Sequence, residues 1–98
     1  MNQAGMTFQN HQFLISGEIN FSNVMSLYLQ SLPQLKQCPT WHFDFSQVIA
    51  SDSTGLALII EWIKLAKQLH KPIHLTHLSE ELISIAKAAG LEKMINPS

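Results

Sequence analysis

The period of apolar and polar positions changes several times along the chain, and each change marks an element. Met6-Thr7-Phe8-Gln9 and Phe13-Leu14-Ile15-Ser16 are short alternating or apolar runs joined by the polar Asn10-His11-Gln12, which predicts a hairpin whose second strand ends at Gly17. Ser22 is placed to cap a helix in which Val24, Leu27, Tyr28 and Leu32 recur at helical spacing. Pro33 disfavours continuation of that helix, and Cys38-Pro39 marks a further break. Trp41-His42-Phe43-Asp44-Phe45 is dense in aromatics, as a buried strand is. The cluster Ser51-Asp52-Ser53-Thr54-Gly55-Leu56 then gives way to a long apolar segment. This predicts a strand-to-helix corner and a helix from about Thr54 to Leu69, closed by Lys71-Pro72. Ile73-His74-Leu75-Thr76 alternates like a short strand. Ser79 is placed to cap a last helix bearing Leu82, Ile83, Ile85, Ala86 and Ala89, with Gly90 at its C-terminal end.

The resulting order, β-β-α-β-α-β-α, describes one small α/β domain over residues 1–98, with no repeat or linker. A mixed sheet of about four strands carries packed helices, and right-handed parallel crossovers join its later strands. The long helix adds a quantitative point. With successive residues 100° apart, its apolar positions from Leu56 to Leu69 cover an arc of about 220°, against the roughly 100° stripe of an ordinary surface helix. Only Glu61, Lys64 and Gln68 form a clear polar face. A sheet buries one side of such an arc; the remainder calls for a second helix or another protein, and Leu58 and Trp62 are the residues in question.

Composition narrows the function classes. Charged residues make up 13% of the 98 residues, below the roughly 25% of typical soluble domains, which favours a surface kept against a partner. A net charge of −1, a pI near 6.5 and scattered basic residues give no footprint for nucleic acid or an anionic membrane. Cys38 is the only cysteine, so no intrachain disulfide forms and a reducing compartment is expected. No segment reaches 18 consecutive apolar residues, so direct membrane insertion is not expected and the chain reads as soluble and cytosolic.

Candidate chemistry centres on the corner. Asp52 or Ser53 can cap the helix by accepting a bond from an orphan N–H, and exposed Ser53 or Thr54 can meet a partner or accept a phosphoryl group. A nucleophile elbow would read Gly-x-Ser-x-Gly, and this corner does not, so serine catalysis is not expected. His70, His74 and His77 straddle a helix-to-strand turn containing Pro72. Neither helical nor strand spacing brings the three together, and no metal site is expected. Gly17, Gly55 and Gly90 lie far apart, and no Lys follows them in a phosphate-loop pattern, so no nucleotide cofactor is expected. The helix N-terminus itself attracts anions, but Asp52 would repel a phosphate there.

Asp44-Phe45-Ser46 followed by Asp52-Ser53-Thr54-Gly55-Leu56-Ala57-Leu58 resembles the STAS domain, the fold of bacterial anti-sigma factor antagonists. Gly17-Glu18-Ile19-Asn20 is similar to the Gly-Glu-Leu-Asp segment after the family's second strand, with Asn20 in place of the acid. Ala86-Lys87 and Gly90-Leu91 fit its last helix and exit. Two branches compete. In the antagonists, a kinase phosphorylates the hydroxyl residue before the Gly-Leu pair, here Thr54; the partner is then an anti-sigma factor kinase. In the MlaB branch, the STAS subunits of the bacterial phospholipid transporter, the corner reads Asp-Thr-Gly-Gly-Leu, and its contact threonine corresponds to Ser53.

The apolar run from Gly55 to Ile60, then Leu65-Ala66-Lys67 and the ending from Ile85 to Pro97, is more similar to the MlaB branch. That resemblance implies a non-catalytic subunit without cofactor, cytoplasmic and peripheral at the inner membrane. It would bind and support an MlaF-like ABC ATPase in a complex with a permease that maintains outer-membrane lipid asymmetry. Asp52 would hold the helix start, Ser53, Thr54 and Gly55 would sit at the contact, and Leu56, Leu58 or Trp62 would supply apolar area. Phosphorylation of Thr54 or Ser53 belongs to the antagonist alternative.

Overall fold

A computed structural model describes residues 4–91 and 93. Strands β1 (Gly5–Gln9) and β2 (Gln12–Ile19) form an antiparallel hairpin. Its loop is only Asn10-His11, both with positive φ (53° and 63°), as a two-residue type I′ turn requires; Gln12, expected in the loop, pairs with Gln9. Gly17 does not end β2. It has a φ of 85° beside a register shift against the next strand, so the glycine absorbs a bulge and the strand runs on to Ile19.

Helix α1 (Val24–Gln37) continues through Pro33, contrary to the sequence expectation. Pro33 removes one helical N–H, but Leu27, Ser31 and Leu35, four apart, are all buried and hold the helix on both sides of it. The carbonyls at its end are also held from outside. Trp41 Nε1 donates to Leu35 O (2.8 Å), while Lys71 Nζ donates to Lys36 O (2.9 Å) and Leu35 O (3.3 Å). Ser22 does not cap α1. Asn20 accepts from Ser22 N (3.0 Å), Asn23 ties the loop to Glu18 O (2.7 Å), and the Asn20 carbonyl takes the first helical N–H, from Val24 (3.0 Å).

Strand β3 (Trp41–Ser51) is followed by α2 (Ser53–Gln68), β4 (Ile73–Thr76) and α3 (Glu80–Ala88). The sheet order is β1-β2-β3-β4, with β2, β3 and β4 mutually parallel. Two successive crossovers of the usual hand put their helices on one face, and the three helices form a single layer with α2 in the middle. Phe13, Ile15, Ile19, Trp41, Phe43 and Phe45 face that layer and are buried. The alternate residues Leu14, Ser16, Glu18, His42 and Asp44 are half-buried on the opposite face, which no helix of the described residues covers.

The central place of α2 accounts for its wide apolar arc. Leu56, Leu58, Ile59, Trp62, Ile63 and Ala66 are all buried, shared among the sheet, α1 and α3, with no second protein needed. Trp62 stacks on Phe43 with centroids 4.1 Å apart, and Phe43 stacks on Phe13 at 5.3 Å. Full burial of each such ring contributes roughly 1.5–3 kcal/mol.

Both later helices end in the same motif. His70 (φ 56°) and Gly90 (φ 74°) follow α2 and α3 in the left-handed region. Each is bracketed by a paired bond pattern, Lys71 N to Ala66 O with His70 N to Lys67 O, and Leu91 N to Ala86 O with Gly90 N to Lys87 O.

Candidate functional site: the hydroxyl corner and its groove

Ser51 ends β3 buried at 7% exposure, and its hydroxyl donates to Asp52 O (3.0 Å). Asp52 has the extended backbone of an N-cap (φ −90°, ψ −169°), which turns its carboxylate back over the first turn of α2. Oδ1 accepts from Thr54 N (2.8 Å) and from the Thr54 hydroxyl. Bonding from the Thr54 hydroxyl holds the Asp52 carboxyl below its usual range against partial desolvation, with the backbone N–H groups of Thr54 and Phe21 adding to it. Asp52 N donates to Ile19 O (3.2 Å), joining the corner to the end of β2.

Gly55 is required by close approach. A Cβ built there would lie 2.0 Å from Ser51 Oγ, 3.2 Å from Ser51 Cβ and 3.3 Å from Leu82 Cδ2. The start of α2 therefore packs directly against β3 and α3.

Beside this corner, α1 and α2 leave a groove of about 350 Å³ lined by Phe21, Val24, Met25, Tyr28, Thr54, Ala57, Leu58 and Glu61. Its lining is apolar apart from Thr54, Glu61 and the Tyr28 hydroxyl. Phe21 is 84% exposed and Met25 65%, large apolar side chains left in water on one wall. Glu61 meets Lys64 at 3.6 Å in an exposed pair that adds little stability.

The structure places the anticipated residues in two groups. Asp52 and Ser53 are exposed and Thr54 is half-buried at the groove, so these three share one surface. Gly55, Leu56, Leu58 and Trp62 are buried. Leu56, Leu58 and Trp62, expected to supply apolar area to a partner, pack against α1, α3 and the sheet, and Leu58 also lines the floor of the groove. Sequence reasoning missed the exposed apolar wall. Phe21 and Met25 fall outside the helical stripe of Val24, Leu27 and Tyr28, and large apolar residues off the buried stripe were the available signal.

A second polar cluster lies on the helix-free face, where Asp44 accepts from Ser46 N (2.8 Å) and meets His77 Nδ1 at 3.1 Å. Desolvation pushes the Asp44 carboxyl up, but the bonds from Ser46 and the charge and bond of His77 together bring it below its ordinary value. Among the described residues, no group of three or more His, Cys, Asp or Glu converges as a metal site, and no helix is long and apolar enough to cross a membrane.

A one-sided mixed sheet whose third strand turns into a capped, hydroxyl-rich helix start is the architecture of a STAS domain. The anti-sigma factor antagonist SpoIIAA, solved in its unphosphorylated form, has this fold. It superposes with a TM-score of 0.72 over 95% of this chain and 85% of its own, at 15% identity. At that identity the likeness speaks for the fold alone. Residues 3–96 match the family described as Mlab, STAS domain, and the chain belongs to that family. A comparison with curated proteins finds no match.

Proposed function

We propose that this chain is a non-catalytic accessory subunit that docks on the ATPase of a phospholipid ABC transporter and supports its productive conformation. The carrying observation is the exposed Ser53 beside an apolar groove whose Phe21 and Met25 stand in water. A hydroxyl contact next to desolvatable apolar anchors is the anatomy of a protein interface. Membership of the Mlab STAS family supplies the partner class. Ser53 makes no hydrogen bond to a base among the described residues, which supports docking over chemistry. The subunit would then be cytoplasmic, held at the inner membrane through its partner.

Co-purification with an ABC ATPase from the native cells tests this reading. Ser53→Glu and the pair Phe21→Asp with Met25→Asp should each abolish the complex while leaving the melting curve of the isolated chain in place. Undiminished co-purification of these variants would reject the docking surface.

A phosphorylation-controlled antagonist is the second reading, favoured by the exposure of Ser53. Thr54 is the acceptor that the antagonist pattern implies; its hydroxyl is bonded to Asp52, whereas the exposed Ser53 hydroxyl makes no such bond, which supports Ser53 as a second acceptor. Intact mass of protein from native cells distinguishes the readings, an added phosphate, assigned to Thr54 or Ser53 by peptide fragmentation, supporting the switch.

A further inference from the structure

We propose that the stacked imidazoles of His42 and His74 make the β3–β4 edge of the sheet acid-sensitive, loosening β4 as pH falls through the histidine range. The two residues stand directly opposite one another in the strand register, on the face that carries no helix. Their rings lie face to face, with centroids 4.6 Å apart and planes 16° from parallel. Such a stack leaves no room for water between the rings. Two neutral imidazoles pack well in this arrangement. Two imidazolium ions would repel there, with little solvent between them to screen the charge.

Other charges on this face do not offset that repulsion. Neither ring has a carboxylate partner among the described residues. Asp44, the next residue of β3 on this face, is engaged with Ser46 and His77. β1 has no charged side chain, and β2 has only Glu18, which lies level with Ala50 far along β3. His11 of the hairpin loop lines a recess together with His42 and would add like charge. The turn into β4 carries His70 and Lys71, the latter bonded to the α1 carbonyls. Glu80 and Glu81 are exposed in the first turn of α3, where the helix dipole favours them.

The attractive pair on this face works the other way. Protonated His77 meets Asp44 at 3.1 Å, but the imidazole is 66% exposed, and pairs so exposed contribute little. The folded edge therefore holds fewer protons than the unfolded chain. Its stability is complete above the histidine range and is lost as pH falls through it. β4 is a four-residue strand at the end of the sheet, so it is the element that yields. Neither histidine lines the groove, and the acid response does not rest on the docking reading.

Native-state hydrogen exchange of the full chain, read by NMR as protection factors from about pH 7.5 to about pH 5, tests the proposal. The Trp41 N–H is the reporter, because it donates to Pro72 O (2.9 Å) at the entry to β4. Its protection should fall by about tenfold or more across that range, relative to amides of the β1–β2 hairpin. In His74→Gln, which removes the stack at an exposed position, the fall should shrink to within about twofold. In His77→Gln, which removes only the attractive pair, it should be at least as large as in the parent. Parent protection that stays level or rises toward acid, a His74→Gln chain that loosens as the parent does, or a His77→Gln chain that no longer loosens would overturn the proposal.

Discussion

Trp62 donates its indole N–H to the hydroxyl of Ser31 at 3.0 Å, and both side chains are fully buried between α2 and α1. The Ser31 hydroxyl in turn donates a hydrogen bond to Tyr28 O at 2.6 Å, so one hydroxyl satisfies a buried donor and a helix carbonyl. Ser31→Ala strands the indole N–H and should cost about 1–3 kcal/mol in urea unfolding. In a double-mutant cycle with Trp62→Phe, the two losses should be less than additive, because the second change removes the stranded donor. Strict additivity would show that the bond contributes nothing.

Gly55→Ala would gain roughly 1 kcal/mol of helix propensity in open space. Here the new methyl meets Ser51 and Leu82, so overpacking of about 1–3 kcal/mol is expected to win and the variant to melt lower. Adding Ser51→Ala removes the 2.0 Å contact and should recover part of the loss. A more stable Gly55→Ala would mean that the corner is looser than its packing indicates.

His70 occupies a left-handed position that Gly90 fills without strain at the end of the next helix. His70→Gly should therefore stabilise the chain by roughly 0.5–1 kcal/mol, less than the full left-handed penalty because glycine also gains unfolded-state entropy. Differential scanning calorimetry of the variant checks this.

The Asp52 carboxyl titrates below its usual range in the folded chain, bonded first by the Thr54 hydroxyl. Its contribution is complete above the unfolded carboxyl pKa, about 3.9, and disappears as pH falls through the lower folded value. Asp52→Ala should cost about 1 kcal/mol near neutral pH through loss of the cap. That gap should narrow in acid, as seen in unfolding midpoints measured from pH 6 to pH 2. A gap independent of pH would exclude the carboxylate as the cap.

Local signals carried the element order. Asp52 and Ser79 cap α2 and α3 as their types suggest, the latter accepting from Leu82 N at 3.1 Å, and the alternation of Ile73–Thr76 is a strand. Where expectation failed, tertiary contacts had overruled a local rule. Pro33 stays helical because Leu35 and the Trp41 and Lys71 donors anchor the turn beyond it. β3 extends through Ser46–Ala50, a stretch without alternation, because bulged pairing with β2 carries it. Ser22 lost the cap to a loop organised by Asn20 and Asn23.

The site divides the same way. The hydroxyl corner was legible because capping is local. Burial of Leu58 and Trp62 depends on helices distant in sequence.

Asp52 holds the first turn of α2 through its carboxylate, while its own N–H reaches Ile19 O at the end of β2. One residue therefore joins the helix start that presents Ser53 to the end of the strand from which the Phe21 loop departs. Loss of its carboxylate would loosen the first turn of α2 while the backbone link to β2 stays in place. A partner reading this surface would in effect be testing whether the first turn of α2 is still fastened.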